Sequence, residues 1–163
     1  MEVRSVEAIV KALNDAGARY IIVGGVAVNA HGFVRMTRDV DIVLELKESN
    51  IILGLSALRE IGYQIAMPVS IEDFADFETR ERWREEKNMI VLKLWSDNHG
   101  RTPIDIFIYE PFDFTGELAN SAKMQLKPDV VATIISLQGL LAMKLQAGRP
   151  QDLIDIQELQ RIP

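Results

Sequence analysis

The chain has 163 residues, of which 48% are hydrophobic and 26% charged, the composition of an ordinary folded domain with a sizeable core. It has no cysteine, which excludes a disulfide framework, a thiol nucleophile and thiolate-bound zinc, and its two histidines, His31 and His99, argue against a histidine-rich metal site. A net charge of −6 and a pI near 5.0 argue against wrapping extended duplex nucleic acid, which needs many Lys and Arg contacts to phosphate.

No run approaches the ~20 apolar residues that span a bilayer, and the acidic start Met1-Glu2-Val3-Arg4 lacks a secretory signal's basic and apolar regions. The expectation is a cytoplasmic protein without membrane contact. No repeat or linker divides the sequence. Residues 1–163 read as one domain, with residues 136–163 as a helical C-terminal extension.

Ser5 is placed to cap a first helix with Val6, Ile9, Val10 and Leu13 on one face, and Gly17 to stop it. The apolar run 20–23 reads as a buried strand that ends in the turn Gly24-Gly25, followed by a brief helix through His31. A second strand covers 39–44, a helix 50–61, and a charged helical insertion 70–87 whose mixed charges form a solvated face. Two apolar runs, 89–95 and 104–109, are separated by turn-forming residues and suggest an antiparallel hairpin. Ser136 is placed to cap a helix ending near Gly148, and Pro150 to open a last one carrying Leu153, Ile154, Ile156 and Leu159. The fold class is therefore mixed α/β (α+β) with a helical C-terminal end.

Within this frame Asp39, Asp41 and Asp105 need explanation. Strand side chains alternate, so Asp39 and Asp41 share a face about 6.6 Å apart along the strand, while Val40, Ile42 and Leu44 take the other. Asp105 interrupts the apolar stretch Ile104, Ile106, Phe107, Ile108, where an ionised carboxylate is costly without a cation or donors. A shared hard cation, Mg²⁺ or Mn²⁺, meets that need, and two such ions suit in-line displacement at phosphate. Taken alone, Asp-Val-Asp also fits two side chains facing water at a strand end. Gly24-Gly25 fits both a phosphate-holding turn and a plain structural one, and it matches neither the dinucleotide nor the Gly-Lys-Ser/Thr phosphate loop.

The order of the pieces is more specific. Strand, Gly24-Gly25, short helix, Arg35-Met36-Thr37-Arg38-Asp39-Val40-Asp41 and the later strand with Asp105 resemble the polymerase-beta-like nucleotidyltransferase superfamily across residues 20–109. The tail, in which Lys144 precedes Arg149-Pro150-Gln151-Asp152-Leu153-Ile154-Asp155, resembles the small bacterial branch related to abortive-infection toxins. The resemblance implies a nucleotidyltransferase-like topology, metal at Asp39, Asp41 and Asp105, and activation of the acceptor hydroxyl by Asp105. It also implies nucleoside triphosphate phosphates at Gly24, Gly25 and Lys144. Of Arg35, Thr37 and Arg38, which precede the acid pair, strand alternation sets Arg35 and Thr37 with Asp39 and turns Arg38 away, so Arg35 and Thr37 are the candidate triphosphate contacts.

Lys144 also fits an ordinary solvent-facing helix lysine, and Arg35 and Thr37 a solvated strand entry. Arg149, Asp152 and Asp155 read as a charge pair bracing two helices, His31 as serving a helix end, His99 as lying in a solvated turn, and Trp83 and Trp95 as packing. Where many members carry Gly-Ser at the turn, this chain has Gly25-Val26, the form that also resembles CCA-adding and toxin-like branches. The function implied is transfer of a nucleoside monophosphate to an acceptor hydroxyl on a protein, an RNA end or a small molecule, releasing pyrophosphate. The alternative is a non-catalytic nucleotide-binding or toxin–antitoxin partner module. A dinucleotide-dependent oxidoreductase is disfavoured by the glycine spacing.

Overall fold

A computed structural model describes residues 1–163. In chain order, α1 (Val3–Asp15) leads into β1 (Tyr20–Val23), α2 (Gly24–Ala30), β2 (Val40–Leu44) and α3 (Glu48–Glu60). Next come β3 (Gln64–Ile65), α4 (Ile71–Ala75), α5 (Phe77–Lys87), β4 (Val91–Trp95) and β5 (Ile104–Phe107). The chain closes with α6 (Phe114–Asn120), β6 (Ala122–Lys127), β7 (Val130–Ile134), α7 (Leu137–Ala147) and α8 (Pro150–Arg161). The seven strands form one mixed sheet in the order β3-β4-β5-β2-β1-β7-β6. Parallel pairs β2–β5 and β1–β7 flank the central antiparallel pair β1–β2. No helix is long and apolar enough to cross a membrane.

The central strands are the apolar ones. All four residues of β1 are buried, and β2 is buried except at Asp41. α1 packs its Val6, Ile9, Val10 and Leu13 face against α3 and β7. At the junction of α3 with the sheet, the buried Asn50 side chain accepts from the Arg19 amide at 2.7 Å and donates to the Arg19 and Glu45 carbonyls at 2.9 Å each. One amide thereby satisfies backbone groups just before β1 and just after β2.

Several expectations need correction in detail. Glu2, not Ser5, occupies the cap position of α1; Ser5 is buried one turn in, and its Oγ lies 2.9 Å from Nδ1 of His99. The 70–87 insertion is two helices rather than one, because Asp76 is extended (φ −73°, ψ 122°) and its carboxylate accepts from the Thr79 amide to start α5. Its charge run is not wholly solvated: Arg80 is buried and donates to the Phe74 and Ala75 carbonyls. His99 stacks on Tyr63 with ring centroids 5.2 Å apart rather than standing free in a turn. Trp83 packs in the core, but Trp95 is 41% exposed. The β4–β5 hairpin and the Ser136 and Pro150 helix starts match the sequence reading.

Replacing Asn50 with Ala is expected to leave the Arg19 amide and the Glu45 carbonyl without their side-chain partner, while the Arg19 carbonyl keeps the Glu45 amide at 3.1 Å, lowering unfolding free energy by about 2 kcal/mol in a denaturant titration. A change within error would show that water takes over these bonds.

Candidate active site

Gly24 opens α2 with φ +64°, a conformation that favours glycine. Its neighbour Val23 pairs with Asp41 across β1–β2, so the Asp41 side chain comes against the Gly24 backbone. A Cβ on Gly24 would overlap the Asp41 carboxylate, and a Cβ on Gly25 would overlap the Thr37 hydroxyl. The two glycines therefore make room for Asp41 and Thr37 to approach the start of α2.

The parallel pairing of β2 with β5 sets Asp41 directly beside Asp105, and Asp39 lies two residues earlier on the chain. Burial, reinforced by the negative charges of Asp39 and then Asp105, pushes the Asp41 carboxyl up to about 7, against the weaker opposing pull of Arg149 and Lys144. Lys93 on β4 faces Asp105 across the β4–β5 pair and holds its Oδ1 at 2.5 Å. That bond, opposed by partial burial, raises the Lys93 ammonium above its usual pKa.

Hard oxygen donors, a carboxyl whose ionisation is disfavoured by burial and by neighbouring acids, and a glycine that clears its approach together suit a divalent cation of the Mg²⁺ or Mn²⁺ type. The acids do not form a ready-made cage: no three carboxylate or imidazole groups are clustered closely enough to enclose an ion.

Above these residues lies a cleft of about 570 Å³. Gly24, Asp41, Asp105, Lys144, Arg149 and Asp152 line its polar side, and Phe107, Tyr109, Ile90 and Met143 are among its apolar lining. A smaller cavity of about 280 Å³, between α3 and residues 63–72, contains none of the acids.

Lys144 and Arg35 belong to a buried ion network. Arg35 donates from Nε and Nη2 to Asp155 at 2.6 and 2.7 Å. The Lys144 ammonium stands 2.7 Å from Asp155 and 3.0 Å from Asp152, and Arg149 reaches Asp152 at 2.7 Å. Burial alone would raise the Asp155 carboxyl, but the bonds from Arg35, Lys144 and Gln151 outweigh it and bring it down to about 2. Lys144 is thus neither solvent-facing nor unpaired, although it lines the cleft. The brace between α7 and α8 is Lys144 paired with Asp152 and Asp155, whereas Arg149 caps the start of α8 through Asp152, and Asp155 through Arg35 anchors the segment leading to Thr37 and Asp39. Thr37 donates to the Asp39 carbonyl at 3.4 Å. His31 occupies the C-terminal cap position of α2, but its ring serves another element: Nε2 lies 2.7 Å from the carbonyl of Ile135, just after β7.

Sequence reasoning missed Lys93 and the apolar wall. Nothing in the spacing of Lys93 marks it; only the β4–β5 register brings it to Asp105.

No protein-family model matches the chain, and no curated protein matches it. Solved structures do. The ANT(2″)-Ia enzyme in complex with adenylyl-2″-tobramycin aligns with a TM-score of 0.60 at 12% identity, over 96% of this chain and 86% of that one. The lincosamide antibiotic adenylyltransferase LnuA, lincomycin-bound, aligns with a TM-score of 0.59 at 16% identity, over 98% and 97%. An antigenic nucleotidyltransferase-like protein from Paracoccidioides brasiliensis aligns with a TM-score of 0.56 at 18% identity, over 97% and 75%. The fold is that of nucleotidyltransferases.

The raised Asp41 pKa fixes the sign of a pH effect. Asp41 holds its proton more tightly folded than unfolded, so its contribution is fully present below about pH 4 and is lost as pH rises toward and through 7. With divalent ions chelated, the melting temperature is expected to fall between pH 5 and pH 8, and Asp41→Asn is expected to flatten that fall and raise the melting temperature at pH 8. Parallel profiles for the two proteins would contradict the assignment.

Proposed function

We propose that the protein transfers a nucleoside monophosphate from a nucleoside triphosphate to an acceptor hydroxyl, releasing pyrophosphate, in a reaction that depends on Mg²⁺ or Mn²⁺. The observation that carries this reading is Asp41, a half-buried carboxyl beside other acids, seated against Gly24 and next to Asp105 in the lining of a cleft. Likeness of fold to the two adenylyltransferases agrees with it.

In this reading Asp39 and Asp41 are the principal metal ligands, with Asp105 completing the set. When bound, the metal supplies charge to the triphosphate and to the developing charge at phosphorus. The remaining work falls to the chain itself. Gly24 and Gly25 let the phosphates approach the backbone at the start of α2, with the Thr37 hydroxyl close by. Lys93 holds Asp105 by Oδ1, leaving Oδ2 to take the proton of the entering hydroxyl. Lys144 and Arg149 face the cleft as positive charges, while Arg35 fixes the segment that carries Thr37 and Asp39.

A non-catalytic nucleotide-binding or toxin–antitoxin partner role is the second reading. It draws on the engagement of Arg35 and Lys144 by Asp155 and Asp152, which leaves fewer cations for a triphosphate. The toxin–antitoxin form of this reading comes from the resemblance of Lys144 and the Arg149 to Asp155 stretch to the abortive-infection-related branch.

Asp105→Asn separates the two. It keeps the shape and a neutral oxygen ligand but removes the base, so nucleotide affinity is expected to weaken modestly while pyrophosphate release falls about a hundredfold to ten-thousandfold. Equal release by parent and variant would remove Asp105 from catalysis. Absence of release by the parent with protein, RNA and small-molecule acceptors would favour the binding module.

A further inference from the structure

In-line displacement places the entering hydroxyl and the departing pyrophosphate on opposite sides of the transferred phosphorus. Across the sheet, Gly24 follows β1, Asp41 lies on β2, Asp105 on β5, and β4 is next. With pyrophosphate on the Gly24–Gly25 side, as in the reading above on which this inference rests, the acceptor enters over β5 and β4.

That side of the cleft is chemically distinct. Phe107 and Val91 form the cross-strand pair next to Asp105 and Lys93 on the same face. Tyr109 meets Phe107 edge-on at 5.9 Å, and the Arg84 guanidinium lies 4.2 Å over the Tyr109 ring. Ile90, 55% exposed, extends the wall. Two cations stand beside this wall, Lys93 bonded to Asp105 and Arg84 over the Tyr109 ring.

Of the three carboxylates lining the cleft, Asp41 and Asp105 belong to the transfer chemistry and Asp152 is engaged by Lys144 and Arg149. None is left to receive an amine. We propose that the β4–β5 wall is the acceptor subsite and that it takes a hydroxyl compound with a planar apolar body and no positive charge, rather than a polyamino sugar. The ring of such a compound lies against Phe107 and Tyr109. Its hydroxyl oxygen bonds to the α-phosphorus as the bridge to the β-phosphate breaks, its proton passes to Asp105, and pyrophosphate leaves.

Saturation-transfer NMR on the full chain tests this with two probes, chloramphenicol as a neutral aromatic diol and tobramycin as a polycation. Chloramphenicol ring protons are expected to receive saturation, and its affinity to fall about tenfold in Phe107→Ala and in Ile90→Asp. The second variant alters an exposed side chain and guards against misfolding of the first. Tobramycin is expected to give no signal that these variants change. Tighter binding of tobramycin than of chloramphenicol, chloramphenicol binding unaffected by both variants, or no binding of chloramphenicol would overturn the proposal. ATP with Mg²⁺ is titrated separately on the same samples. ATP bound without chloramphenicol refutes the acceptor class alone, whereas chloramphenicol bound without ATP refutes nucleotidyl transfer and with it the acceptor role.

Discussion

The site depends on one close approach, that of the Asp41 carboxylate to the Gly24 backbone. The β1–β2 register forces it, and only a residue without a Cβ permits it. Drawing a carboxylate partly out of water there is unfavourable, and the neighbouring acids make it more so. A protein that merely needed a stable sheet would place an apolar side chain at this position, as it does at Val40 and Ile42 on either side. Retaining an acid where the fold must accommodate it at a cost points to a site that awaits positive charge.

The rest of the structure can be understood as support for that strand edge. Asp105 reaches Asp41 because β2 and β5 are parallel neighbours, and Lys93 reaches Asp105 because β4 pairs with β5. From the opposite direction, α7, α8 and the turn between them bring Lys144, Arg149 and Asp152 to the cleft, and the buried Asp155 behind them grips Arg35. The C-terminal helices are thereby joined to the segment between α2 and β2. The contrast is physical: cations and anions are matched in the C-terminal network, whereas on the sheet the three acids face a single close lysine.

Much of this was legible in the sequence wherever the signal was local. The run 20–23 with Gly24-Gly25 marks a strand and turn, Asp39 and Asp41 share a face by alternation, and Ser136 and Pro150 start their helices as their chemistry dictates. α6 and the β6–β7 hairpin were not read, although Asp113 caps α6 and Pro128-Asp129 form the hairpin turn; β6 alternates between half-buried and exposed residues at the sheet edge and has no fully buried face to betray it. The partner of Arg35 was equally hidden, because Asp155 lies 120 residues away, and for Lys144 charge alone does not distinguish a phosphate contact from a buried ion pair. Lys93 and the aromatic wall became visible only through register.

The central claim is that the acids around Asp41 hold a divalent cation. Calorimetric titration with Mn²⁺ in the absence of nucleotide tests it most directly, in buffers of different ionisation enthalpy so that proton release is counted. The account predicts saturable binding by the parent near pH 7 with release of a proton from Asp41, and loss of both in Asp41→Asn. Mn²⁺ binding of equal affinity in the two proteins, with no proton released by either, would contradict it.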